Sequence, residues 1–282
     1  MKFKKVVIIG AGLIGGSIGK ALLRKRIAEN VTGIFRRRIS LQKALKEKAV
    51  TEACLGISKK ALSNAEIVFI ATPVSSIRKV IDGIKPYIGK ETIVTDAGSI
   101  KKEIVEYADR FHDKFRFVGG HPLAGLEKTG VESSSADLYN GAICVLTGTK
   151  FTDPLALAAV KEVWERMGAA VDILSPDKHD EILAFTSHLP HAVAYALAGV
   201  QNEDHRRYAA SGFRDTTRIA SSDPELWADI FSGNRKNMIA AIKTFRVVLN
   251  DIEKKIVRND KNGLRKKLGF CKGVRDGIFQ KS

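Results

Sequence analysis

Apolar residues in the first part of the chain follow two alternating patterns. Short continuous runs at residues 6–9, 31–35, 67–71, 92–95, 115–118, 143–146 and 170–174 read as strands buried on both faces, with a shorter one near 53–55. Between most of them, apolar positions recur at helical spacing, over 15–27 (Ile18, Leu22, Leu23), 41–47, 77–84, 101–111 and 154–167. Strands alternating with helices predict a doubly wound, mostly parallel sheet with right-handed crossovers. Beyond about Ser175 no strand candidate remains. Met238, Ile242, Phe245, Leu249, Ile252 and Ile256 form a coiled-coil-like seam, and Leu264, Leu268, Cys271, Val274 and Ile278 continue the theme. Little chain is left to cover these two long helices, so the pattern predicts a helical homodimer.

Composition narrows the class. With 282 residues, 44% hydrophobic and 28% charged, the chain has the balance of an ordinary globular protein. No apolar run approaches the ~20 residues of a membrane span. Lys2, Lys4 and Lys5 before an apolar run imitate a signal peptide, but the run stops at Gly10 and reads better as a strand and turn. The expected location is cytoplasmic, with no membrane partner. Three scattered cysteines, Cys54, Cys144 and Cys271, give neither a disulfide framework nor a zinc site, and no metal is expected. The net charge of +16 is high. Its basic residues are spread, with small clusters at 2–5, 36–38 and 254–281, and aromatics are only 7%. That pattern reads as a surface that attracts anionic small molecules rather than nucleic acid.

Gly10-Ala11-Gly12-Leu13-Ile14-Gly15 follows the first strand and opens a helix. In that context G-x-G-x-x-G is a dinucleotide fingerprint. Gly10 allows the tight turn, Gly12 lets the pyrophosphate approach, and Gly15 lets the helix pack close to the strand. The first-turn residues Leu13 and Ile14 offer N–H groups to the phosphates. The fold class predicted is therefore α/β: a Rossmann-type dinucleotide-binding domain over 1–174, then an all-α substrate-binding and dimerisation domain over 175–282. The second strand ends in Phe35-Arg36-Arg37-Arg38, where an acid would hold the ribose hydroxyls of NAD. Arg36 and Arg37 suit a 2′-phosphate, which tips the choice within NAD(P)+ slightly towards NADP+. Ala71-Thr72-Pro73-Val74 and Asp96-Ala97-Gly98-Ser99 end later strands on the ligand side, so Thr72, Pro73 and Ser99 are further cofactor candidates.

Phe117-Val118-Gly119-Gly120-His121-Pro122-Leu123-Ala124-Gly125 is the most distinctive segment. A strand runs into two glycines and a histidine pinned by proline. Oxidation of a carbinol needs a neutral group to take the hydroxyl proton, and His121 suits that role. Downstream, Ser187-His188-Leu189-Pro190-His191 follows His179 and Asp180. Pro190 disturbs the helix there and no carboxylate pair completes a ligand set, so substrate contact or structural polar bonding is expected rather than metal. In 212–224, Asp223-Pro224 reads as a helix start, and Arg214 or Arg218 could clamp a carboxylate.

Together these segments, with Trp227, resemble the prephenate/arogenate dehydrogenase family of tyrosine biosynthesis over nearly the whole chain. The resemblance implies oxidative decarboxylation of prephenate to 4-hydroxyphenylpyruvate with hydride transfer to NAD(P)+. It makes His121 the acceptor for the ring hydroxyl, with Ser99 beside it. It places Arg218 on the ring carboxylate, His191 and Ser187 near the pyruvyl side chain, His188 in the same segment, and Glu127 and Asp215 at the site entrance near Trp227. The acid after the second strand is missing from the pattern. No regulatory segment follows the helices and no mutase helices precede the glycine turn, so any control by tyrosine is expected at the active site or dimer interface.

Three alternatives remain open at this point. Arogenate dehydrogenase differs only in an amino group on the substrate. Another β-hydroxyacid dehydrogenase would place a catalytic lysine on a long interdomain helix, where this chain offers Ser187-His188. An NAD(P)-sensing or nucleic-acid-binding protein would bind cofactor without turnover.

Overall fold

The computed structural model describes residues 2–125 and 129–279. Two compact units result, Met1–Asn234 and Arg235–Ser282. The first holds eight strands in one sheet. In chain order its elements are β1 (Phe3–Ile9), α1 (Leu13–Arg24), β2 (Ala28–Phe35), α2 (Arg38–Lys46), β3 (Glu52–Leu55), α3 (Lys59–Leu62), β4 (Ile67–Ile70), α4 (Val74–Ile84), β5 (Ile93–Asp96), α5 (Lys102–Ala108), β6 (Arg116–Pro122), β7 (Ile143–Thr147), α6 (Pro154–Arg166) and β8 (Ala170–Leu174). Then come α7 (Pro176–Leu183), α8 (Leu189–Gly199), α9 (Glu203–Arg206), α10 (Ser211–Thr217) and α11 (Pro224–Gly233).

The strand order is β3-β2-β1-β4-β5-β6-β7-β8. Its first six members have the order of a dinucleotide-binding sheet, with the ligand crevice where the order reverses between β1 and β4. All pairings are parallel except β6–β7, which is antiparallel. The continuous apolar runs are explained by cover on both faces. Ile18, Leu22, Phe69, Tyr139 and Trp164 belong to a core on one side. Ile77, Ile81, Ile104, Val105 and Phe115 belong to a core on the other, joined there by Trp227 and Ile230 of α11. Helices α7 and α11 thus pack on the α4–α5 side of the sheet.

The structure moves several expected boundaries. Helix α1 begins at Leu13, inside the fingerprint, and ends at Arg24 because Arg26 takes a positive φ of 53° and turns the chain into β2. The expected helix over 101–111 is α5 followed by a 3-10 turn. Strand β6 does not stop at Val118. It runs through Gly119-Gly120-His121-Pro122 because β7 supplies an antiparallel ladder, with His121 opposite Val145. Pro190 does not break a helix. A π-helical turn over Ala184–His188 precedes α8, and Pro190 sits in the first turn of α8, where its missing N–H is not needed.

The second unit is formed by α12 (Arg235–Val257) and α13 (Lys261–Phe279). Asp251 of α12 pairs with Lys255 one turn on, at 2.5 Å, and with Lys267 of α13 at 3.5 Å. Leu249 and Ile256 of the expected seam are exposed, as are Leu268, Val274 and Ile278. No helix among the described residues is long and apolar enough to cross a membrane.

Candidate active site

The glycine turn sits at the crevice between β1 and β4. Gly10 has φ +91°, and a Cβ there would lie 2.7 Å from the Ala71 carbonyl oxygen. A Cβ on Gly15 would lie 2.4 Å from the Gly10 carbonyl oxygen, so neither position admits a side chain. Gly12 faces open space and no side chain caps the helix it begins. The N–H groups of the first turn, at Leu13, Ile14 and Gly15, have no partner within the helix. The buried Thr72 hydroxyl also lacks a partner. These are the donors an anionic dinucleotide would take up, and the surrounding cavity of about 770 Å³ is large enough for one. Gly10, Gly12, Arg36, Arg37, Thr72 and Pro73 line it. Lys43 and Lys79 line it too, which the sequence reading missed because neither belongs to a motif. Glu132, the acid among the lining residues, is paired with Lys43.

A second cleft of about 590 Å³ gathers side chains that are distant in sequence. Ser99 comes from the end of β5, His121 from β6, and Ser187, His188 and His191 from the π-turn and α8. Arg218 comes from a 3-10 turn after α10, and Trp227 from α11. Two chain neighbours link the cavities, since Thr129 lines this cleft and Gly130 the other. Two of the expected residues are not brought in. Asp215 is exposed on α10 and does not line the cleft, and the same holds for Arg214. Both lie on α10, whereas Arg218 begins the 3-10 turn that follows it. Glu127 lies outside the described residues.

A chain of hydrogen bonds fixes the imidazoles. Asp180 accepts at Oδ1 from the Lys101 N–H (2.8 Å) and at Oδ2 from the Lys102 N–H (3.0 Å). Its Oδ1 also contacts His179 Nδ1 at 2.8 Å, so that nitrogen carries the proton. His179 Nε2 is then an acceptor, and His121 Nδ1 donates to it at 2.8 Å. The lone pair of His121 is left on Nε2. Sequence reading noticed His179 and Asp180 but found no role for them. His188 Nδ1 faces the Asn234 amide at 3.2 Å, while the same amide donates to the Asp180 carbonyl at 2.7 Å. His191 Nδ1 donates to the Ser187 carbonyl at 3.0 Å, and its ring stacks on Trp227 with centroids 3.5 Å apart.

Residues 18–173 match the family model for the nucleotide-binding domain of prephenate dehydrogenase, and residues 175–270 match that for its dimerization domain. The chain belongs to the prephenate dehydrogenase family. It is 32% identical to the prephenate dehydrogenase of Bacillus subtilis (strain 168), over 97% of this chain and 76% of that protein. Among solved structures it is similar to the prephenate dehydrogenase from A. aeolicus in complex with hydroxyphenyl propionate and NAD+. That match has a TM-score of 0.92 at 35% identity and covers 99% of each chain. It is also similar to Synechocystis arogenate dehydrogenase, with a TM-score of 0.83 at 32% identity over 97% of this chain and 99% of that one.

In this prephenate dehydrogenase-family site the histidines are held neutral. Burial pushes His121 well below the ordinary histidine range, helped by His179, Lys101 and His188. Burial lowers His179 too, against the pull of Asp180. His188 is pushed down to about 4, again by burial. In the unfolded chain these groups protonate near pH 6.5. The unfolded state therefore binds more protons below that pH, and stability falls as pH drops from about 6.5 towards 4. His188 alone accounts for roughly 3 kcal/mol over that window. Urea midpoints should drop steadily between about pH 7 and pH 5. A flat midpoint there would mean that the buried imidazoles already carry charge in the folded state.

Proposed function

We propose that this chain is a prephenate dehydrogenase that converts prephenate to 4-hydroxyphenylpyruvate and carbon dioxide with NAD(P)+ as oxidant. The observation that carries the reading is His121 in the second cleft, its Nδ1 occupied by His179 and its Nε2 left as acceptor. The bound nicotinamide would accept the hydride from the ring carbon that bears the hydroxyl. His121 Nε2 takes the hydroxyl proton as that carbon is oxidised. The bond between the ring and its carboxylate then breaks, its electron pair enters the ring, and the phenol oxygen recovers the proton. Aromatisation drives the step, so the protein supplies chiefly orientation and a placed acceptor. Arg218 holds the ring carboxylate, Ser99 steadies the hydroxyl beside His121, and Ser187, His188, His191 and Trp227 receive the side chain. The division at residues 174 and 175 is one of labour: the sheet holds cofactor, the following helices hold substrate. The exposed apolar positions of α12 and α13, with the dimerization-domain match, support a homodimer. We place the enzyme in the cytoplasm.

One observation favours a second reading, arogenate. His191 Nδ1 is committed to the Ser187 carbonyl, and burial lowers its pKa. Its free nitrogen is then an acceptor, which suits an ammonium better than a keto oxygen. The test is purified protein with prephenate or arogenate and NAD+ or NADP+, followed by nicotinamide absorbance. Turnover with at least one pair is expected, and none with any of the four would overturn both readings.

NADP+ is the proposed cofactor. Arg36 and Arg37 follow β2 without an acid, and Lys79 adds positive charge to the same cavity, where Lys43 is balanced by Glu132. Replacing Arg36 and Arg37 together by alanine should raise KM for NADP+ about 10- to 100-fold, the scale of one or two charge-assisted bonds, with little change for NAD+. A wild-type protein that prefers NAD+ would refute this choice.

A further inference from the structure

The strand that carries His121 is tied to a buried ion pair that has no part in the reading above. The side chains of Lys101 and Asp96 are both fully buried. Lys101 Nζ donates to Asp96 Oδ2, and also to the carbonyl of Gly120 at 2.8 Å. Asp96 Oδ1 accepts from the N–H of Gly120 at 3.1 Å, and its Oδ2 from the N–H of Gly98 at 2.9 Å. Both backbone groups of the residue before His121 are therefore held by this pair. The approach is close enough to require glycine, since a Cβ on Gly120 would lie 2.6 Å from the Asp96 carbonyl oxygen. Lys101 also acts at the far end of the imidazole chain, where its own N–H donates to Asp180 Oδ1.

As a stabilising device such a pair is a poor choice. Desolvating two charges costs about as much as their attraction returns, and apolar residues of similar volume often do as well or better. A fully buried pair that grips both backbone groups of one residue is better explained by what it orients. We propose that Lys101 is a positioning residue for His121: its ammonium, held between the Asp96 carboxylate and the Gly120 carbonyl, sets the backbone from which the imidazole projects, while its N–H sets the carboxylate that ends the His121–His179–Asp180 chain. The proposal rests on His121 as the proton acceptor of the proposed reaction. It adds the reason that the acceptor presents one nitrogen and not the other.

The groups acting on His121 are His179 from α7, Lys101 from the β5–α5 junction and His188 from the π-turn, with Asp180 behind His179 and Asp96 against Lys101. Cys144 lies on β7 opposite Pro122. Lys101 is the cation in this set: burial pushes its pKa down, and the Asp96 and Asp180 carboxylates oppose that shift. Its charge lowers the His121 pKa, so removing it makes the histidine easier to protonate and moves the acid limb of the rate profile to higher pH.

The test uses the full chain labelled with ¹⁵N-histidine, with the His121 signal assigned by its loss in His121→Asn. In the wild type, His121 should appear as one neutral tautomer, protonated on Nδ1. In Lys101→Met the Nε2–H tautomer should appear alongside it. That variant's kcat should fall about 10- to 100-fold, the scale of a misplaced reacting group, while substrate KM changes little. Its acid limb should move upward. If Lys101→Met does not fold, the uncharged pair Asp96→Asn/Lys101→Met is expected to give the same tautomer mixture and the same loss of kcat. A folded variant with the wild-type tautomer and kcat within about twofold of wild type would overturn the proposal. So would a mixed tautomer in the wild type. A single tautomer that becomes mixed on removal of Lys101, in a protein that turns over neither prephenate nor arogenate, would support the positioning role and refute the proposed reaction.

Discussion

Replacing His121 by asparagine is expected to lower kcat by about 10²- to 10⁴-fold, the range for loss of a general base. Asparagine keeps the polarity and most of the reach, and its amide N–H can still meet His179 Nε2. It cannot take up the hydroxyl proton. Cofactor affinity should be unchanged, because His121 lines the second cleft and not the cavity around the glycine turn. A fluorescence titration with the reduced cofactor checks that point, and single-turnover absorbance checks the chemical step. A kcat that stays within about tenfold of wild type would assign the proton to another group, with water the first alternative.

Replacing Arg218 by alanine should raise the KM for prephenate about 30- to 100-fold, equivalent to the roughly 2–3 kcal/mol of a charge-assisted, bidentate contact. A smaller effect on kcat is expected, since the ring carboxylate is held before and during the reaction. Lysine at this position should recover part of the loss, because it restores the charge without the planar fork. Arginine 214 is the built-in control. Arg214 sits on α10, is exposed and does not line the cleft, so Arg214→Ala should leave KM close to wild type. The reverse ranking of the two variants would move the carboxylate clamp to Arg214.

The legible part of the site consists of short segments whose chemistry is local. The glycine turn is an example, because Gly10 needs a positive φ and Gly15 a missing Cβ, and both demands act within a few residues. Asp223-Pro224 is another, with the aspartate Oδ1 accepting from the N–H of Glu225 as a helix cap should. Strand β3 was visible only as a weak run, since its residues are half exposed at the sheet edge. The extension of β6 through His121 was not visible, because two glycines and a proline argue against a strand until β7 is present to pair with them.

The sequence by itself determined the alternation of strands and helices, the nucleotide-binding turn, and the segments that meet in the cleft. The first two depend on periodicity or backbone geometry over a few residues, and the third rests on the family resemblance of those segments. Only the tertiary structure decided that His179 stands between His121 and Asp180, that Lys101 grips Gly120, and that Lys43 and Lys79 join the cofactor cavity while Asp215 stays outside the other. The reason is distance along the chain. His121 and His179 are 58 residues apart, and Lys101 and Asp180 are 79. A histidine on a helix has the same local signature whether it relays a proton's position or merely fills a core. The strand order and the one antiparallel pairing bring these residues within 3 Å, and no pattern of a few residues encodes that.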